Sequence, residues 1–188
     1  NFFRQMEHSN IVCFPSSYTA TRAQEIFGKE ITHKIIPWGI SNSIRQKFNS
    51  YTPNQKEDFV LILGNIEPRK NIVFICNAVN IFNKRFRQNI KVLIAGRKIY
   101  KADEILNNCH KVNDNLKYLG YISQNDKIKL LQEAAAVVYA SKYEGFGLPI
   151  LESAIIGTPV LIANNSCLKE VAPHNNYLFE TENIDSLV

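Results

Sequence analysis

No apolar run in this sequence reaches the roughly 18 residues that a membrane-spanning helix needs, and its start carries no signal-peptide pattern. Cysteine is sparse: Cys13, Cys76, Cys109 and Cys167 stand far apart without a C-x-x-C pair, so the paired spacing of a zinc site is missing. Several lie in apolar surroundings, where a free thiol behaves as a small hydrophobe, and a reducing, cytoplasmic compartment is the simplest expectation. His8, His33, His110 and His174 lack i, i+4 pairing and no Asp-x-Asp occurs, so no metal-ligand set can be named. There is no sustained basic run interleaved with aromatics, which removes the usual argument for nucleic acid as a partner. Seven prolines and eight glycines fall singly or in short clusters, which argues against a long disordered tail, and there is no internal repeat.

What is present is an ordinary globular composition, 45% hydrophobic and 21% charged over 188 residues, enough for one full core and part of a second. The formal charge of +5 suits an anionic partner such as a nucleotide diphosphate or a membrane surface, although Lys84, Arg85 and Arg87 read equally as a solvated helix face.

From residue 59 onward, short β-rich runs alternate with segments of helical length. The runs are 59–63, 91–95, 116–119, 136–139, 159–162 and 176–179; the helical segments between them are 71–86, 101–113, 124–135 and 149–156. Several runs are continuously apolar, as expected of strands covered on both faces. Ser123 is placed to cap the third helix and Gly157 to end the fourth. The alternation predicts an α/β fold with a doubly wound parallel sheet, in which ligands bind beyond the carboxyl ends of the strands. That rule points to the loops 64–70, 96–100, 120–123, 141–149 and 164–170. Residues 1–48 form a different piece, with strands at 10–14 and 34–37 around a helix at 17–27. A strand-helix-strand unit cannot bury its own faces, so it is expected to be the end of a preceding domain. Residues 49–58, polar and holding Pro53, read as a linker to a domain spanning 59–188. The chain begins at Asn1, not Met, and is expected to be a piece of a longer protein.

The most informative run is Ser141-Lys-Tyr-Glu-Gly-Phe-Gly-Leu-Pro-Ile-Leu-Glu-Ser-Ala, directly after a predicted buried strand. Gly145 and Gly147 allow a tight turn and a close approach to a ligand, and Pro149 suits the first turn of the next helix. Free N–H groups at that helix start can bind a phosphate or a sugar hydroxyl. Glu152, one turn inside the helix, can accept hydrogen bonds from both ribose hydroxyls, and Glu144, before the turn, can reach a sugar hydroxyl or stabilise charge at an anomeric carbon. Taken singly, each glutamate could equally be a cap or a surface residue. In the first strand-to-helix loop, Gly64-Asn-Ile-Glu-Pro-Arg-Lys70 offers Lys70 as a point charge and Arg69 as a fork for a diphosphate.

The run from Glu144 to Glu152 resembles the E-x7-E signature of the retaining group 1, or family 4, glycosyltransferases of the GT-B class. The resemblance implies the Rossmann-like C-terminal half of that fold, with Glu144 on the donor sugar, Gly145, Phe146, Gly147 and Leu148 against sugar and phosphates, and Glu152 on the ribose. Lys70 falls on the family's diphosphate lysine. The family's arginine after the glycine of that site is replaced by Asn65, beside Gly64, with Arg69 as the compensating cation. Leu119-Gly-Tyr-Ile-Ser123 is similar to the family's turn bordering the base, which makes Tyr121 and Ile122 candidates for the nucleobase wall. Ser166-Cys-Leu-Lys-Glu170-Val resembles a segment behind the donor site, where Glu170 is expected to orient its neighbours. Arg97 could face the phosphates or solvent. The class works without a metal or other cofactor.

The resemblance implies transfer of a hexose from a nucleotide diphosphate sugar to a glycan or lipid-linked acceptor, in polysaccharide or glycoconjugate synthesis. The E-P-R-K-N run leans toward GDP-mannose. It further implies work in the cytoplasm, at the inner face of a membrane to which the protein binds peripherally. Set against the family's pattern, most of the acceptor half of the fold and the long C-terminal helix are expected to lie outside this sequence, with residues 1–48 as the end of the acceptor-side domain and its hinge. A nucleotide-sugar-binding module or partner subunit without catalysis, and another GT-B sugar enzyme such as an epimerase or phosphorylase, therefore stay open.

Overall fold

The computed structural model describes residues 8–49, 56–172 and 177–188. His174, Asn176, Pro53 and the start of the first piece lie outside the described residues. The chain opens with strand β1 (Val12–Phe14), helix α1 (Ser17–Phe27), strand β2 (His33–Ile35) and helix α2 (Asn42–Asn49). β1 and β2 pair in parallel, and α1 crosses between them over a small cluster of Phe14, Ala20 and Ile31. Ile11, Ile26, Ile35, Ile36 and Trp38 remain exposed, so this unit leaves much of its apolar surface uncovered. Helix α2 was not expected. Its largely polar sequence gives little sign of Ile44, which is fully buried in the main core where α2 packs against a later helix.

The main sheet follows: β3 (Glu57–Leu63), a 3-10 turn (Pro68–Lys70), α3 (Ile72–Phe86), β4 (Lys91–Ala95), α4 (Ala102–Val112), β5 (Leu116–Gly120), α5 (Gln124–Glu133), β6 (Ala134–Tyr139), α6 (Leu148–Ile156), β7 (Val160–Ala163), α7 (Leu168–Val171), β8 (Tyr177–Phe179) and α8 (Ile184–Leu187). The six strands are parallel in the order β5-β4-β3-β6-β7-β8. This is the doubly wound α/β arrangement that the alternating pattern predicts. Two strand starts come earlier than expected: β3 begins at Glu57, two residues inside the expected linker, and β6 at Ala134, inside the expected helix 124–135, because the pair β3–β6 extends to Glu57 beside Ala134.

The core fills both sides of the central strands, where Leu61, Val92, Ile94, Val137, Val160 and Ile162 are fully buried. Continuous apolar runs are what such two-sided burial requires. Local signals set the helix ends. The Ser123 hydroxyl accepts the Asp126 N–H to cap α5, and Gly157 ends α6 in the left-handed region with its N–H on the Ala154 carbonyl.

Sheet order fixes the site. From β3 the chain winds outward through β4 to β5, then returns to place β6 on the other side of β3. The loops after β3 and β6 therefore diverge and leave a crevice at the carboxyl ends of adjacent strands. They carry Lys70 and Glu144. Gly96 closes one wall: a Cβ there would lie 1.8 Å from the Gly64 carbonyl oxygen, so the two loop backbones can touch only at glycine.

Candidate functional site

Lys70 sits at the end of the 3-10 turn with its side chain folded into the crevice, where it is buried. Its ammonium donates to the Glu144 carboxylate at 2.6 Å and to the Tyr139 hydroxyl at 3.0 Å. The Tyr139 hydroxyl in turn donates to the same Glu144 oxygen at 3.2 Å. Arg69 reaches the other Glu144 oxygen at 2.7 Å and Glu67 at 2.7 Å, and its guanidinium also bonds the Tyr143 carbonyl at 3.3 Å. Four charged groups from two loops thus interlock at the switch point.

Electrostatics follow from this packing. Burial opposes ionisation of Glu144, but the Lys70 charge and hydrogen bonds from Lys70, Arg69 and Ser141 outweigh it and hold the carboxyl below the usual carboxylate range. Burial likewise works against the charge on Arg69, and the bonds to Glu144 and Glu67 overcome it, raising the value. Tyr139 is pushed up by burial and then by the Glu144 charge, so it remains a protonated donor.

The turn after Glu144 is held from several sides. The Glu144 N–H donates to the Ser166 hydroxyl at 3.3 Å, and the Cys167 thiol donates to the Glu144 carbonyl at 3.0 Å and the Phe146 carbonyl at 3.3 Å. Burial and the nearby Glu144 charge raise the Cys167 thiol to about 11, which keeps the proton it donates. The Gly145 carbonyl accepts from the Ser16 and Thr19 hydroxyls of the α1 start, at 3.1 and 2.9 Å. Glu170 accepts from the Ser17 and Tyr18 N–H groups at 2.8 Å each, so it caps α1 from across the chain. That agrees with an orienting role for Glu170.

Of the two glycines expected to shape the turn, Gly147 needs its freedom, with φ +106 and a Cβ position 3.1 Å from Ile150 Cδ1. Gly145 has no such backbone, and its contribution is the carbonyl gripped by α1. The Phe146 side chain turns into the core against Trp38, with ring centroids 5.9 Å apart, so what Phe146 offers the crevice is backbone. Leu148 is half-buried against the same core at the start of α6.

A cleft of about 550 Å³ runs from the Gly64 end of this cluster, lined among others by Asn65, Arg97, Tyr121, Ile122, Lys127 and Glu152. Lys70 adjoins it, since a Cβ on Gly64 would lie 3.3 Å from the lysine Nζ. Glu152 faces the cleft one turn into α6, where Lys127 of α5 bonds its carboxylate at 2.7 Å. The Arg97 guanidinium lies over the exposed Tyr121 ring, 4.5 Å from its centroid. The cleft therefore carries an aromatic-cationic pair, Arg97 on Tyr121, and the Glu152 carboxylate in its lining, with Lys70 adjoining it at Gly64. A separate apolar cavity of about 200 Å³, walled by Val60, Ile75, Val79, Phe82, Val138 and Leu187, presents almost no polar group to orient a ligand.

Of the residues singled out in the sequence, Gly64, Asn65, Arg97, Tyr121, Ile122 and Glu152 line the cleft, Lys70 adjoins it and pairs with Glu144 beside Arg69, and Gly145, Phe146, Gly147 and Leu148 form the turn that follows Glu144. Sequence reasoning missed Tyr139, Lys127, Glu67 and the Ser16–Thr19 clasp. Tyr139 was legible only as the last residue of a strand entering the key loop, and Lys127 as a lysine one turn after a capped helix start. Among the described residues, no three His, Cys, Asp or Glu side chains stand together as a metal site, and no helix is long and apolar enough to cross a membrane.

The chain is 30% identical over 133 residues to the O-antigen chain mannosyltransferase B of Escherichia coli, covering 70% of this chain and 35% of that protein. It is 26% identical over 148 residues to a glycogen synthase of Mycobacterium tuberculosis, covering 78% of this chain and 35% of that one. The chain thus spans about a third of the length of these relatives. Among solved structures, HepE of Anabaena in complex with UDP and glucose superposes with a TM-score of 0.77 at 19% identity, over 97% of this chain and 52% of that one. TarM superposes with a TM-score of 0.75 at 20% identity, over 99% and 36%. The structural likeness shows the Rossmann-like α/β fold. The family model for glycosyl transferases group 1 matches residues 43–188, and the chain belongs to that family.

Proposed function

We propose that this chain is the donor-binding part of a retaining glycosyltransferase that moves a hexose from a nucleotide diphosphate sugar to a glycan or lipid-linked acceptor. The observation that carries the reading is the meeting of Lys70, Arg69 and Glu144 at the switch point, beside a cleft that contains Glu152. In this reading Lys70 and Arg69 stabilise the departing diphosphate, an electrostatic task for preorganised cations in a partly dry site. Glu152 receives the ribose hydroxyls in exchange for its bond to Lys127. Tyr121 and Ile122 border the base, while Gly64 and Asn65 line the phosphate end. Glu144 and the turn through Gly145, Phe146, Gly147 and Leu148 position the sugar. No metal is needed where two cations already face the phosphates.

Mannose is the proposed sugar and GDP-mannose the donor, supported by the E-P-R-K-N run and by relatives whose names specify mannosyl transfer in O-antigen chains. The proposed setting is polysaccharide synthesis on the cytoplasmic side of a membrane, where the charge of +5 suits peripheral contact with an anionic surface. Residues 1–48 then belong to the acceptor-side domain and 59–188 to the donor domain.

Calorimetric titration with GDP, UDP and GDP-mannose tests the donor site. GDP is expected to bind, and Lys70→Ala or Glu152→Ala to weaken it by about 1.5–3 kcal/mol, the range for hydrogen bonds to charged groups. Wild-type protein that bound none of the three at millimolar concentration would sink the reading. Tighter binding of UDP would redirect it to the glucosyl donors suggested by the glycogen synthase and HepE likenesses.

A further inference from the structure

Glu67, Arg69, Lys70 and Glu144 make a closed set of two cations and two carboxylates whose formal charges cancel. The Lys70 and Glu144 side chains keep only 10% and 9% of their exposure, so water screens the pair poorly. Both cations expected to hold a diphosphate are thus already occupied, and one carboxylate, Glu144, occupies both. Its backbone is pinned, with the N–H on Ser166 and the carbonyl on Cys167, so any exchange is confined to side-chain rotation. The Tyr139 hydroxyl, bonded to Lys70 and Glu144 together, holds the carboxylate in this paired position.

We infer that Glu144 is the resident anion of the phosphate site: it holds Lys70 and Arg69 when no donor is bound, and it returns to them after transfer to expel the nucleoside diphosphate. This rests on the donor-site reading above. While Glu144 stays on the two cations, its charge repels an incoming diphosphate and weakens their hold on it. An intact donor brings sugar hydroxyls that give the displaced carboxylate new hydrogen bonds. Bare nucleoside diphosphate brings none, so the carboxylate competes with it at full strength. Only such a differential affinity can bias a site between donor and product. Glu144 supplies it without any movement of the backbone.

The test is calorimetric binding of GDP, UDP, GDP-mannose and UDP-glucose to wild type and Glu144→Gln, with folding checked by circular dichroism. Glu144→Gln is expected to bind the free nucleoside diphosphate about tenfold more tightly, as removal of one poorly screened like charge requires. Its affinity for the nucleotide sugar should rise less or fall, since the amide is a poorer acceptor for the sugar hydroxyls. Adding Lys70→Met to Glu144→Gln should abolish the gain. If Glu144→Gln does not fold, Tyr139→Phe decides: it removes the hydroxyl that holds the Glu144 carboxylate on Lys70 and should tighten diphosphate binding about threefold. A folded variant that binds the diphosphate no better than wild type overturns the resident-anion role and leaves the donor site standing. Absence of nucleotide binding by wild type and variants alike overturns both.

Discussion

Glu144 shows how much one side chain's surroundings decide. In the sequence it is a carboxylate before a glycine-rich turn; in the fold it bridges a lysine, an arginine and a tyrosine. Its depressed ionisation has a consequence for stability. The unfolded carboxyl titrates near about 4.3, and the folded one lower, so as pH falls the unfolded chain takes up its proton first. The stabilisation is therefore complete above the unfolded value and is lost as pH drops through the folded one. Urea unfolding of wild type and Glu144→Gln between about pH 7 and about pH 3 should show the wild-type advantage shrinking below about pH 4.3. An advantage that stayed constant across that range would mean Glu144 gains nothing from its cations.

At the scale of elements, the α1 start and the donor-loop turn act as one construction. Glu170, from α7, neutralises two open N–H groups of α1, while Ser16 and Thr19 hold the Gly145 carbonyl. An anionic cap at a helix N-terminus gains from both hydrogen bonding and the helix dipole. Glu170→Ala is expected to cost about 1–2 kcal/mol in chemical unfolding, with Glu170→Gln costing less because the amide oxygen still accepts one bond. Equal stability of wild type and Glu170→Ala would show the contact to be incidental. The sequence indicated that Glu170 orients something. It did not indicate α1 as the object, because the partners are some 150 positions apart and backbone N–H groups leave no residue signature.

At the scale of the whole molecule, the site exists because of strand order. β3 and β6 are neighbours only after the chain has wound out to β5 and returned. A ligand that binds across the two loops favours the folded state over the unfolded one. A nucleotide present at a hundred times its Kd should stabilise the fold by about 2.7 kcal/mol, and the melting temperature should rise with ligand concentration. An unchanged melting temperature at saturating GDP, UDP and GDP-mannose would argue against a site across the crevice.

Much of this was legible in the residues alone. Buried parallel strands need apolar residues on both faces, so runs such as Val60-Leu-Ile-Leu63 and Val92-Leu-Ile-Ala95 identify themselves. Helix ends at Ser123 and Gly157 are set by their own side chain or its lack, and the spacing from Glu144 to Glu152 carries the family resemblance. Helix α2 was not legible, because Ile44, which anchors it, gains its meaning only from the α6 surface the helix meets. Nor were the roles of Tyr139, Lys127 and Glu67. Local propensity and capping act within a few residues, which a sequence displays in order. Ion pairing and desolvation depend on distances that only the wound sheet brings about. The sequence by itself determined the elements and the loops that matter; the tertiary structure decided that Glu144 rests on both cations.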